Sequence, residues 1–279
     1  MKHELFGINR FDEKAVIAFL LLFGIAEALL GAYKNSKRNW NDYLAEIVSF
    51  SQLTILVQPA ILLLVAFVGR SFFPAAEGKF AGIGGGYQFL ILLLIEDMPQ
   101  YWWHRLSHHS PFLWKFHLAH HASPGMGVGV AFRNNVLYYL FMPNIWLAAT
   151  AVFLGFGKVY VLYTVIKLLI VIGAHSELRW DSFLYRYKLL HPLAWLLEHT
   201  ISTPATHFGH HGLTNADGIS NNNGNFGNML FIWDQLFGTA KFTRNYPPEF
   251  GVEHDPKDPW YVLLYYPFVR SGKSDSQLK

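Results

Sequence analysis

The 279-residue sequence predicts an all-α integral membrane protein, four to five transmembrane helices carrying a cytosolic helical cap rich in histidine. Three observations lead there. Hydrophobic residues make up 52% of the chain and charged residues only 15%, against roughly 25% charged in soluble domains, so part of the surface must face lipid. Apolar runs of membrane-spanning length recur along the chain. The fourteen histidines are crowded: only His3 precedes residue 100 and only His254 follows residue 211, the rest falling in 104–121 and 175–211.

Crossing a hydrocarbon core takes about 20 apolar residues. Such runs lie at 15–33, at 44–69 (with Pro59, Gln52 and Gln58 inside), and at 80–96. Two more, 135–155 and 158–174, are divided by a Gly-Phe-Gly turn and form one helical hairpin. The count is five, or four if a hairpin is re-entrant. The first run has acids in its leader (Glu4, Asp12, Glu13) and Glu27 where a small-residue cleavage site would sit, so it reads as a retained anchor rather than a signal peptide. Lys34, Lys37 and Arg38 follow it and belong in the cytosol by the positive-inside rule. Counting spans from there delivers residues 98–134 and 175–279, and with them both histidine-rich stretches, to the cytosolic side. Three units follow: anchor helices at 1–97, a histidine-rich domain at 98–240 that includes the 135–174 hairpin, and a cytosolic tail at 241–279.

Composition excludes much. The net charge of +3, with no block of Lys and Arg interleaved with aromatics, gives no nucleic-acid surface. Glycines 82, 84, 85 and 86 open an apolar helix instead of following a strand, so they form no phosphate loop; Gly82 and Gly86 are spaced for close helix–helix contact. The absence of cysteine removes disulfides, iron–sulfur clusters and thiolate zinc sites, leaving His, Asp and Glu as the only metal ligands.

The histidines have ligand spacing. His104 and His108 are four apart, and His117-Leu-Ala-His120-His121 and His207-Phe-Gly-His210-His211 repeat an i, i+3, i+4 pattern that puts imidazoles on one helix face. A closed zinc site takes four ligands, so eight imidazoles suit two ions, and imidazole suits Zn, Cu, Fe and Ni. Neither an H-E-x-x-H zinc-protease pattern nor the E-x-x-H repeats of soluble di-iron bundles is present.

At this point the chain resembles the fatty acid hydroxylase and sterol desaturase superfamily of membrane di-iron oxygenases. The resemblance covers about 88–240. It rests on Asp97-x3-Tyr101-Trp102-x-His104-Arg105-x2-His108, on Leu113-Trp-Lys-Phe-His117 through His121, on Thr203-Pro204 leading into His207–His211, and on Asn225 to Thr239 (NFGNMLFIWDQLFGT). Ala131-Phe-Arg133 and His175-Ser-Glu177 look closer to the alkylglycerol monooxygenase and bacterial "sterol desaturase family" branch.

The resemblance implies that His104, His108, His117, His120, His121, His207, His210 and His211 hold two iron ions. These would activate O2 against an unactivated C–H bond of a lipid (a sterol, fatty acyl chain or ether lipid), giving hydroxylation or desaturation. His175, which ends an apolar helix at the depth of the site, and His199, in LEHTISTP, are expected as further ligands. His109 reads as solvent- or headgroup-facing, and His191 and His254 as structural or exposed. Asp97 could orient an imidazole through its second nitrogen or be an interfacial helix-end charge; Glu177 and Glu198 are similar cases. Asp234 reads as fixing the cap, and Arg105 and Arg133 as partners of acids or of a headgroup. Tyr101, Trp102, Trp103, Trp114 and Phe116 read as an interfacial aromatic belt.

Electrons must come from a separate partner, since no flavin, haem or ferredoxin motif is present; in the alkylglycerol monooxygenase branch the resemblance implies a reduced pterin. The membrane would be the endoplasmic reticulum in a eukaryote or the inner membrane in a bacterium. Two other readings use the same ligands: a membrane zinc hydrolase or isomerase, and a non-catalytic metal- or lipid-binding protein.

Overall fold

Proline shapes the long helices. In the computed structural model, which describes residues 11–31, 37–253 and 257–271, helix α1 is Phe11–Leu29 and α2 runs continuously over Trp40–Phe72. Expectations resting on His3, Lys34, His254 and the end from 272 fall outside those residues. Asn39 starts α2 with a capping box: its side chain accepts from the Asn41 amide while Asp42 accepts from the Asn39 amide. Pro59 has no N–H, so the ladder widens ahead of it into a π turn at Gln52–Val57, and Gln58 N–H bonds Leu53 O. Pro99 does the same in α3 (85–109). There the π turn is Leu93–Asp97 and Met98 N–H bonds Leu93 O, so the helix survives its proline.

After α4 (Pro111–His121) and the short α5 (Val136–Phe141), α6 (Pro143–Ala151) and α7 (Gly157–His175) meet at a kink where Gly155 has φ 109°. A Cβ there would lie 2.7 Å from the Ala81 backbone nitrogen. That close approach is used: Gly78 N–H donates to Phe153 O and Phe80 N–H to Leu154 O, stitching the turn between α2 and α3 to the turn between α6 and α7. Asn134 and His175, at the other ends of the excursion, both touch histidine rings. The chain therefore leaves the histidines at 135 and returns to them at 175, as a hairpin does.

Among the described residues, two stretches are long and apolar enough to cross a membrane, Trp40–Phe72 and Pro143–His175, the second containing both arms of the hairpin. The runs expected at 15–33 and 80–96 fall short of that measure, α1 because it carries Asp12, Glu13, Lys14 and Glu27, and α3 because it carries Glu96 and Asp97. Gly82 and Gly86 do not mark helix contacts, since a Cβ on either would meet nothing within 4 Å; the tight approach falls at Gly69, against the Phe153 ring. No β-strand occurs among the described residues, only the isolated bridges Ile201–Leu230 and Gly212–Phe250.

Buried ion pairs lock the helices. Arg133, whose side chain is 1% exposed, pairs with Asp42 at 2.7 Å, and Arg38, counted in sequence as a loop charge, is buried against Glu46. Glu96 accepts from Asn144 Nδ2 at 2.9 Å and also bonds Tyr163 and Lys167, tying α3 to both arms of the hairpin. Breaking one such pair strands a buried charge, typically costing about 3–5 kcal/mol. The cap adds α8 (Asp181–Arg186), α9 (His191–Thr200), α10 (Pro204–His211) and α11 (Ile232–Leu236). The described part of 241–279 folds back on it. Arg244 grips Glu198, Tyr246 bonds Asp181, and α12 (Trp260–Tyr265) packs its Leu263 and Leu264 against Ala119 and Ala122.

Gly155→Ala should lower stability by about 1–3 kcal/mol, because it forces a side chain to positive φ against Ala81. Thermal unfolding in detergent should show this loss, while Gly86→Ala leaves the midpoint at or above that of the parent.

Candidate metal centre

The helices bring nine imidazoles together. His104 and His108 on α3, His117 and His121 on α4, and His210 on α10 form one group; His120 on α4, His175 ending α7, and His207 and His211 on α10 form a second. Within each group the ligand nitrogens lie within 4.8 Å of one another. The groups adjoin, with the His121 and His211 rings stacked at 4.4 Å and His120 4.5 Å from His211. The i, i+3, i+4 spacing divides as helix geometry requires: on α4 the first and last histidines serve one group and the middle one the other. Ser110 caps α4 and Thr203 caps α10 through its box with Thr206, so both helices begin at fixed points ahead of their histidines.

Proton placement limits what the rings can bind. His104 Nδ1–H donates to Phe226 O at 2.7 Å and His210 Nδ1–H to Gly224 O at 2.8 Å. Burial pushes His104 down to about 4 and holds His210 well below its ordinary value, so both rings are neutral with one proton each. Their Nε2 atoms are therefore bare, yet they sit 2.9 Å apart. Two lone pairs at that distance repel unless a cation lies between them. Imidazole ligands about 2.0–2.1 Å from a metal sit roughly 3 Å apart, which fits this pair. His117 gives a second sign. Its Nδ1–H donates to Asn134 Oδ1 at 3.2 Å, and its buried Nε2 has no partner within the protein. The same fixing recurs at His120, to Val130 O at 3.0 Å, and at His175, to Val171 O at 2.7 Å. The donor set is all imidazole nitrogen, which suits iron, zinc, copper or nickel and leaves room for two ions.

His199, expected as a ligand, is not brought to this cluster. It follows Glu198, which faces inward, so its own ring points away: Nδ1–H donates to Trp195 O and the ring stacks on Phe242 at 4.2 Å. His109 lies in neither group, and His191 Nε2–H donates to Tyr185 O. None of the three proposed orienting carboxylates touches a ligand imidazole. Glu198 is held by Arg244 at 2.6 Å, and Glu177 pairs with Arg179. Asp97 accepts from Trp233 Nε1 at 2.8 Å and from the Leu230 amide at 3.1 Å. Backbone carbonyls and Asn134 do the orienting instead, and a carbonyl common to all residues leaves no signal in sequence.

Asp234 does act on the cap, as expected, and it does so through backbone amides. Its two oxygens accept from Phe226 N–H and Gly227 N–H, and Thr239 adds a third bond. Only glycine fits at 227, where a Cβ would lie 2.8 Å from the Asp234 carboxylate. Asp97 and Asp234 thus brace the loop whose carbonyls at Gly224 and Phe226 aim His210 and His104. Of the aromatics expected as a belt only Trp102 is exposed: Tyr101 and Phe116 are buried and Trp114 packs on His108 at 5.0 Å, while Tyr138 stacks on His117 at 4.6 Å.

Asp234→Ala should release that loop and weaken metal binding by the five-histidine group on the order of tenfold, within the range for outer-sphere partners, with little effect on the four-histidine group. Metal titration of the purified chain reads both affinities.

Comparison with known proteins agrees with this geometry. Residues 89–239, more than half of the chain, match the family model described as fatty acid hydroxylase. Alkylglycerol monooxygenase of Danio rerio is 31% identical over 181 residues, 62% of this chain and 35% of that protein. The Xenopus tropicalis alkylglycerol monooxygenase is 30% identical over 242 residues, 81% of this chain and 47% of that protein. Ornithine lipid hydroxylase OlsE of Rhizobium tropici is 28% identical over 190 residues, 68% of this chain and 53% of that protein. The matched regions span from about a third to about a half of these relatives. No solved structure matches the chain. The family match takes in all three histidine clusters, the 135–174 hairpin and the loop braced by Asp97 and Asp234, and the chain belongs to the fatty acid hydroxylase family.

Proposed function

We propose that this chain is a membrane-bound non-haem di-iron oxygenase that uses O2 to hydroxylate or desaturate a lipid, its site on the cytosolic side of four to five membrane-crossing segments. The observation that carries it is the pair of bare Nε2 atoms of His104 and His210 at 2.9 Å, within two adjoining nests of buried imidazoles. Two iron ions held by His104, His108, His117, His121 and His210, and by His120, His175, His207 and His211, would supply O2 activation and attack on an unactivated C–H bond. The protein's own part is to keep the protons of His104, His210, His120 and His175 on Nδ1 through the carbonyls of Phe226, Gly224, Val130 and Val171. Phe116, Trp114, Tyr138 and Phe226 wall the rings and exclude water.

A lipid substrate is supported by the relatives, one named for alkylglycerol and another for ornithine lipid. Both names denote oxygen insertion, which favours hydroxylation over desaturation here. Electrons would come from outside the chain, from a reduced pterin or a redox protein.

The purified chain loaded with ferrous iron should consume O2 in the presence of a reductant. Cells expressing it should accumulate a lipid heavier by one oxygen atom, or lighter by two hydrogens if the reaction is desaturation. A protein that binds two zinc ions and stays inert after ferrous reconstitution would instead support the zinc hydrolase or isomerase reading. His210→Ala should abolish the lipid product and reduce metal binding in the five-histidine group, measured by elemental analysis; a fully active variant would overturn the ligand set.

A further inference from the structure

One cap segment is built inside out. Over 182–197 most of the exposed side chains are apolar: Phe183, Tyr187, Leu189, Leu193, Trp195 and Leu196 are 45–90% exposed, with Leu189 at 90%. The inward face of α9 carries Ala194 and the carboxylate of Glu198, which Arg244 neutralises. A helix facing water has the opposite arrangement. Leu189, Leu193 and Leu196 recur at helical spacing, so this is a continuous face rather than scattered residues. The only charges in the stretch are cationic, Arg186 and Lys188, both exposed.

The face also joins a second apolar surface. Gln235 Nε2–H donates to His199 O, which places α11 and its exposed Leu236 against the end of α9. Phe237 then packs on Trp102 at 4.8 Å. Trp102 belongs to a stripe on α3 in which Leu90, Leu94, Trp102 and Leu106 are exposed at intervals of four or eight residues. The stripe runs from the apolar part of α3 to the cap.

We propose that the 183–196 segment is an interfacial anchor: its leucines and Trp195 enter the boundary between headgroups and acyl chains of the bilayer, and Arg186 and Lys188 meet anionic headgroups. The inference rests on the membrane reading above and extends it. It fixes the cap at the level of the lipid surface, with the histidine cluster beside the leaflet from which an apolar substrate would enter. Apolar area and cationic charge on the same short segment fit an anionic lipid surface better than a soluble protein.

The full chain has no cysteine, so single cysteines can be introduced and labelled with an environment-sensitive NBD fluorophore. Three exposed positions suffice: Leu193→Cys on the anchor, Ile55→Cys on α2, and Ala216→Cys in a cap loop. Each variant is reconstituted into phosphatidylcholine–phosphatidylglycerol vesicles and quenched either by lipids brominated high in the acyl chain or by aqueous iodide. The expected result is bromolipid quenching at Leu193 several-fold above that at Ala216, with Leu193 shielded from iodide. Iodide quenching at Leu193 equal to that at Ala216, with Ile55 still quenched by lipid, would overturn the anchor and leave the membrane reading standing; a soluble partner would then be the occupant. Failure of lipid quenching at Ile55 as well would overturn the membrane reading, and the anchor with it.

Discussion

The structure depends on keeping nine imidazoles, eight of them buried, neutral and converging on one another. Such a cluster is costly. Each buried nitrogen without a partner costs about 1–3 kcal/mol, and facing lone pairs add repulsion. The fold offsets that cost by fixing five of the rings, His104, His117, His120, His175 and His210, through their Nδ1 atoms. Nδ1 protons are taken by carbonyls, helices are capped just ahead of their histidines, and the loop that offers Gly224 O and Phe226 O is gripped by two buried aspartates. The same demand explains the ion pairs lower in the bundle. Asp42 with Arg133, and Glu96 with Lys167, hold α2, α3 and the hairpin in a register that a purely apolar packing would leave free to slide.

The histidines were legible in the sequence because ligand spacing on a helix is periodic. His104/His108 and the two H-x-x-H-H runs declare which rings share a face, and His175 declared itself by ending an apolar run at the right depth. His199 misled because proximity in sequence says nothing about direction: one residue from the inward Glu198, its ring turns outward. The carboxylates misled for a related reason. A metal-binding histidine needs an acceptor for its second nitrogen, and Asp97, Glu177 and Glu198 were the acceptors a sequence can display. The protein uses main-chain carbonyls, which only the folded loop brings into place. Asp97 still serves the site, one step removed.

The fold was legible at the level of helices and turns. The Gly-Phe-Gly break between the two apolar halves of the hairpin is the kink at Gly155, and Pro59 and Pro99 sit just beyond π turns. How the far ends meet was not legible. Backbone bonds from Gly78 and Phe80 to Phe153 and Leu154 involve no characteristic side chain, and the glycines that looked like helix contacts, Gly82 and Gly86, border open space while Gly69 takes the close approach.

The π turn at Leu93–Asp97 sets the angular register of the first histidine pair. In an uninterrupted α-helix each residue advances about 100°, so His104, fourteen residues after Leu90, would point roughly 40° from it, outward on the exposed side. A π turn accommodates one extra residue and so removes about 100° of that advance. His104 is thereby carried roughly 140° from Leu90, into the protein, while Trp102 and Leu106 stay on Leu90's side. A single surplus residue ahead of Pro99 lets one helix present leucine outward along its length and histidine inward at its end.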